Sequence, residues 1–332
     1  ADYVVMESTY GNRYHKRTTS YIESLTRIIQ ETLDRSGNVV IPAFAVGRTQ
    51  ELLYMIRHIK EQKLIHGHDG FLVYVDSPLA VEATQVFKEN LMECYDEETK
   101  ALVEQGINPI DFPGLRLSIT SDDSKNINFD MTPKVIISAA GMCDAGRIRH
   151  HLKHNLWRSE CSVVFAGYQA EGTLGRLLQD GAPAVKIFGE EIDVRAHIET
   201  IDGISGHADL DGLLTWILAF EKRPEHIFVV HGNEESCTSF TDTLANQLKL
   251  DADAPYSGSQ FDLIRNCWIC RTEPVLAQKE KETERKAAGV YTRLADAGSR
   301  LMEVISHNQG GANKDLARFT EQILALCEKW DR

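Results

Sequence analysis

The stretch SGHAD, residues 205–209, follows a strand-like run and opens the helix-like LDGLLTWILAF of residues 210–220. Its order has a physical reading. Asp209 is a residue type that caps a helix N-terminus, Gly206 lets the backbone pass close to a site, and His207 is held between them. FVVHGNEE (228–235) repeats the arrangement, with His231 where an apolar run ends. Outward from these two stretches the same unit recurs along the chain. Strand-like runs fall at 3–6, 38–44, 71–75, 115–120, 134–139, 162–167, 184–188, 193–201, 226–230 and 261–264. Helix-length segments separate most of them, among them 18–34, 49–62, 81–94, 146–155, 210–220 and 236–248. Such alternation predicts an α/β protein with largely parallel sheets. The exception is 184–201, where GEE (189–191) predicts a hairpin.

The chain has 332 residues, of which 42% are hydrophobic, enough for two domains with real cores. No apolar run approaches the roughly 20 residues that span a bilayer, and no signal peptide is visible. Seven cysteines, scattered and odd in number, fit a reducing cytoplasm better than a disulfide scaffold. The first residues, ADYVVMEST, lack Met and already carry a strand, which reads as a piece cut from a longer polypeptide. The net charge of −13 argues mildly against a nucleic-acid partner. Local distribution argues back. From 145 to 159 there is no acidic residue, while Arg147, Arg149, Lys153 and Arg158 give either a solvated basic helix face or a phosphate-facing surface. After about Glu273 the pattern turns helical. Leu316, Phe319, Ile323, Leu326 and Trp330 form one apolar stripe, for a helical hairpin with its own core or for contact with a partner or second copy.

Six stretches each end a strand with small or polar residues: ESTYG (7–11), PAFAVGRTQE (42–51), DSPLA (76–80), SAAGM (138–142), SGHAD (205–209) and VHGNEE (230–235). Ligands in α/β sheets bind beyond such strand ends. Glu7 there needs a partner, and a histidine is the natural one. A carboxylate bound to one imidazole nitrogen fixes the tautomer and leaves the other as a proton donor. His207 suits that role, and His231 suits a metal ligand. Three other patterns carry less. HGHDG (66–70) has the wrong spacing for a zinc motif, the CWIC of Cys267 and Cys270 lacks a second ligand pair, and His150 with His154 suits a solvated helix face.

The order ESTYG, IPAFAVGRTQELL, SAAGM, AGYQAEGTLGR, SGHAD, VVHGNEE resembles the β-CASP group of metallo-β-lactamase-fold nucleases, the group of RNase J and of the cleavage-and-polyadenylation endonuclease. The likeness spans roughly residues 1 to 250. It implies that Glu7 is the acidic residue paired with His207, that His207 is the general acid for the leaving oxygen, and that His231 is the last zinc ligand. A histidine at that final position implies the RNA branch rather than the DNA branch. The likeness also puts Arg48 and the loop of Ser138, Gly141 and Met142 at the RNA backbone, and favours Arg147 and Arg149 as phosphate contacts.

The fold implied is the C-terminal part of an αββα metallo-β-lactamase domain, residues 1–12 and 185–271. Into it an α/β β-CASP domain, residues 13–184, is inserted, and a helical extension, 272–332, follows. The family's HxHxDH zinc motif is missing from this sequence. The resemblance implies two zinc ions in the full-length parent, and without that motif this chain is expected to be inactive alone, with one sheet face uncovered. RNA is the expected partner, with no membrane. The alternatives are a non-catalytic RNA- or protein-binding module, and a hydrolase of small phosphodiesters or other esters.

Overall fold

The computed structural model describes residues 1–15, 21–201, 205–274, 294, 297–298, 300–302, 304–310 and 313–330. It has two compact units, Ala1–Pro255 and Tyr256–Arg332. The centre of the first is a six-stranded, wholly parallel sheet in the order β4-β3-β5-β2-β6-β9. These strands are Leu115–Ser118 (β4), Leu72–Asp76 (β3), Lys134–Ser138 (β5), Val39–Pro42 (β2), Ser162–Phe165 (β6) and His197–Thr200 (β9). β2, β5 and β6 are buried at every residue, as strands covered on both faces must be. Side chains alternate between two cores. Val39, Ile41, Val73 and Val135 meet Leu25, Ile29, Leu52 and Ile56 of helices Tyr21–Asp34 (α1) and Arg48–Glu61 (α2). Val40, Ile136, Val163 and Phe165 meet Ile148 and Leu152 of Ile148–Asn155 (α7).

A smaller parallel sheet joins Tyr3–Glu7 (β1), His226–Val230 (β10) and Ala252–Asp253 (β11). Val4, Met6, Ile227 and Val229 bury one face against Leu213 and Ile217 of Leu210–Leu218 (α9) and Phe240 of Glu234–Asp242 (α10). Val5, on the other face, is 67% exposed. Both strand-to-helix joints are capped, the first at Asp209 as the sequence predicts. Asp209 accepts from the Gly212 amide at 3.0 Å, and Asn233 from the Ser236 amide at 2.8 Å.

The structure corrects one expectation. The hairpin is shorter than 184–201. Ala184–Ile187 pairs antiparallel with Glu190–Asp193, and His197–Thr200 instead lies parallel to β6. Val185, Ile187 and Ala196 complete the core around Leu152, Leu156 and Leu178. In the second unit, Gln260–Asp262 and Cys267–Cys270 form a hairpin whose two cysteines are free and exposed. The helix Asn313–Trp330 buries none of its residues; Leu316, Phe319 and Ile323 are half-exposed, Leu326 and Trp330 exposed. No helix of the described residues is long and apolar enough to cross a membrane.

Candidate functional site

Parallel pairing places the ends of β1 and β10 side by side, with Glu7 opposite Val230. His231 follows in the left-handed region, φ 53°, which turns its side chain back over the strand ends. Gly232 allows this. A Cβ there would come 2.5 Å from Ser8 Oγ and 2.8 Å from the Ser8 carbonyl oxygen. His207 arrives from the α9 cap. The His15 amide donates to Asp209 Oδ2 at 2.9 Å, and His15 Nε2 lies 3.0 Å from the His207 carbonyl oxygen.

Glu7, His207 and His231 thus converge, their ligand atoms within 4.8 Å of one another. His207 Nδ1 lies 3.0 Å from Glu7 Oε1, and the Thr9 amide donates to Glu7 Oε2 at 3.0 Å. Burial works to raise the Glu7 pKa, but the bonds from Thr9 and His207 outweigh it, so the carboxyl titrates below its ordinary value. The imidazoles of His207 and His231 stack with centroids 5.3 Å apart. Thr9 is one residue that sequence reasoning missed. Its hydroxyl donates to the His231 carbonyl oxygen at 3.1 Å and lies 3.2 Å from His231 Nδ1. A hydroxyl has one hydrogen, so towards His231 Nδ1 it accepts, which puts the ring proton on Nδ1 and the lone pair on Nε2. The one available signal was the position of Thr9 within ESTYG.

His207 also lines a cleft of about 290 Å³, with Phe44, Arg48, Gly141, Met142 and Tyr168 in its walls. Arg48 is held by Glu51 at 2.6 Å. The Gly141–Met142 wall is fixed from behind. Gln169 Nε2 donates to the Gly141 carbonyl oxygen at 2.9 Å, and the Gly175 amide to that of Met142 at 3.1 Å. Three expected contacts lie elsewhere. Ser138 is buried and its hydroxyl donates to the Asp76 carbonyl oxygen at 2.7 Å. Arg147 binds Asp76 Oδ1 at 2.7 Å and lines a separate cavity of about 300 Å³. Arg149 stacks on the Phe188 ring at 4.6 Å. The basic stretch around α7 is accordingly engaged rather than open, with Lys153 on Glu190 at 2.6 Å and Arg158 on Glu160 at 2.9 Å. HGHDG is structural too; His68 pairs with Asp34 at 2.9 Å.

Fold and site together define an α/β protein with a carboxylate–histidine pair and a metal-type histidine at strand ends. Two family models match it: "Beta-Casp domain" over residues 49–178 and "Zn-dependent metallo-hydrolase RNA specificity domain" over residues 191–255. A ribonuclease of Thermus thermophilus is 37% identical over 247 residues, 74% of this chain and 54% of that protein. Transcription termination factor FttA of Thermococcus kodakarensis is 33% identical over 272 residues, 79% of this chain and 40% of that protein. An RNase J-like protein of Methanocaldococcus jannaschii is 33% identical over 261 residues, 78% of this chain and 58% of that protein. The chain belongs to the β-CASP group of the metallo-β-lactamase superfamily. It spans between two fifths and three fifths of the length of these relatives.

Proposed function

We propose that this chain carries the proton-donating and RNA-holding part of a zinc-dependent ribonuclease of the cytoplasm. The observation that carries the reading is the Glu7–His207 pair at 3.0 Å on the edge of a cleft that also holds Arg48. Glu7 takes the Nδ1 side of His207, so Nε2 is the atom left to give a proton to the leaving oxygen of a phosphodiester. An ionised Glu7 stabilises the imidazolium and fixes its tautomer. Arg48 supplies a fork of donors for phosphate oxygens, and the backbone of Gly141 and Met142 forms the opposite wall.

Zinc activates water and stabilises charge at such a centre. The described donors of this chain do not fit a zinc pair. Glu7, His207 and His231 give three ligand atoms, and both Glu7 oxygens are already engaged by His207 and Thr9. Of these three, His231, through its Nε2 lone pair, is the donor left for a metal at this site. That shortage favours a second reading, in which the chain binds RNA without cutting it.

The test is zinc content by elemental analysis and cleavage of 5′-labelled RNA. It compares the chain alone with the chain joined to a segment carrying an HxHxDH motif. The proposal expects RNA bound by both, with two zincs and cleavage only in the joined form. RNA bound by both and cut by neither selects the binding-only reading. RNA bound by neither ends both readings.

A further inference from the structure

Phe44 stands at odds with its neighbours. It follows the wholly buried β2, yet its side chain is 51% exposed in the wall of the His207 cleft. Single exposed apolar residues are normal on protein surfaces, but this one lines a cleft and is held on a fixed loop. Thr49 donates to the Phe44 carbonyl oxygen through its amide at 3.3 Å and its hydroxyl at 2.7 Å. Gln50 donates to the Ala45 carbonyl oxygen at 3.1 Å and accepts from the Gly47 amide at 2.8 Å. Gly141 lies against the ring edge, where a Cβ would come 3.2 Å from Phe44 Cδ2. The ring is thereby set in place before any ligand arrives.

Electrostatics gives the ring a purpose. The chain carries a net charge of −13, and the charged carboxylate and guanidinium in the cleft wall, Glu51 and Arg48, are 2.6 Å apart and offset each other. Attraction of phosphates cannot supply most of the affinity for RNA here. A base laid on an aromatic face needs no charge.

Resting on the RNA reading above, we propose that Phe44 is a stacking platform for one unpaired base. The cleft then takes single-stranded RNA and grips it by stacking more than by charge. A base inside a duplex cannot reach the ring without being splayed out.

The test measures binding of this chain to a labelled single-stranded RNA by fluorescence anisotropy. Phe44→Ala should weaken binding by about 5- to 150-fold, the value of one base–aromatic stack, and Phe44→Trp should keep it. RNA with an abasic nucleotide at the contact should lose affinity for the wild type and not for Phe44→Ala. A duplex of the same sequence should bind more weakly. The slope of log K against log salt should be about −1, one or two phosphates' worth at roughly −0.7 each. Phe44→Ala binding as tightly as wild type, or a slope as steep as about −3, overturns the stacking platform and leaves the RNA reading intact. No RNA binding by the wild type overturns both.

Discussion

Asp76 and Glu7 each end a parallel strand, and each meets a histidine, at 2.7 Å to His151 and at 3.0 Å to His207. The chemistry is the same and the surroundings are not. Asp76 and His151 are 0% exposed, and every polar atom of the pair has a partner. Ser118, Ser124 and Arg147 share the carboxylate, and Asn128 takes His151 Nδ1 at 2.9 Å. Both imidazole nitrogens are spent, so nothing is left for a substrate. Glu7 and His207 are 28% and 42% exposed, with one imidazole nitrogen engaged by the carboxylate. The difference shows that a carboxylate–histidine pair becomes a reagent only when one nitrogen is left to the solvent side. A pair that is fully satisfied and dry locks β3, β4 and α7 together instead.

The comparison can be broken by exchanging the expected phenotypes. The largest effect belongs to His207. In a protein with its zinc ligands complete, His207→Ala should slow single-turnover RNA cleavage by about 10²–10⁴, with stability and RNA affinity unchanged. An undiminished rate would remove the proton-donor role. Asp76→Asn should do the reverse. It takes the negative charge from the fully buried carboxylate that Arg147 and His151 contact and should cost about 3–5 kcal/mol, read as a lower denaturant midpoint, while RNA affinity per folded molecule holds.

The pH dependence sharpens the point. Burial works to raise the Asp76 carboxyl, but bonds from His151, Ser124 and Ser118 outweigh it and hold it well below the usual carboxylate range. A depressed folded pKa contributes stability that is fully present above the unfolded value, about 3.9, and is lost as pH falls from there towards the folded value. Denaturation of wild type and Asp76→Asn should therefore differ by a constant amount down to about pH 4. Below that the gap should close. A gap that closes well above pH 5 would mean that Asp76 is not held ionised.

The smallest effect falls on Thr9. Thr9→Val keeps the shape and removes the hydroxyl that sets the His231 tautomer. Zinc affinity of a completed site should drop by about 10- to 100-fold, measured by competition with a chromophoric chelator. Unchanged affinity would show that the tautomer is set by something else.

Much of this was legible before any coordinates. The Asp209 cap is a local property, and Glu7 and His231 end neighbouring parallel strands of one sheet, whereas His207 lies beyond β9 of the other sheet and reaches them from the α9 cap. Arg48, Gly141 and Met142 were legible through their place in the family's motifs. Ser138, Arg147 and Arg149 stand away from the His207 cleft. A sequence shows that a polar residue stands at a strand end, but not which side of the loop it faces. Ser138 ends β5 and donates to the Asp76 carbonyl oxygen, while the loop beyond it brings Gly141 to the cleft. Thr9, Gln169 and Phe44 were overlooked because each acts through geometry: a hydroxyl shared between two backbone segments, an amide behind a loop, a ring left exposed.

The sequence alone determined the class of fold, the order of its strand-end motifs and the three side chains that could act together, because periodicity and capping are local properties. Only the tertiary structure decided which carboxylate–histidine pair stays wet and which is sealed. That depends on how many partners burial brings to each atom, and those partners come from segments far apart in the chain: His151 lies 75 residues from Asp76, and His207 lies 200 residues from Glu7.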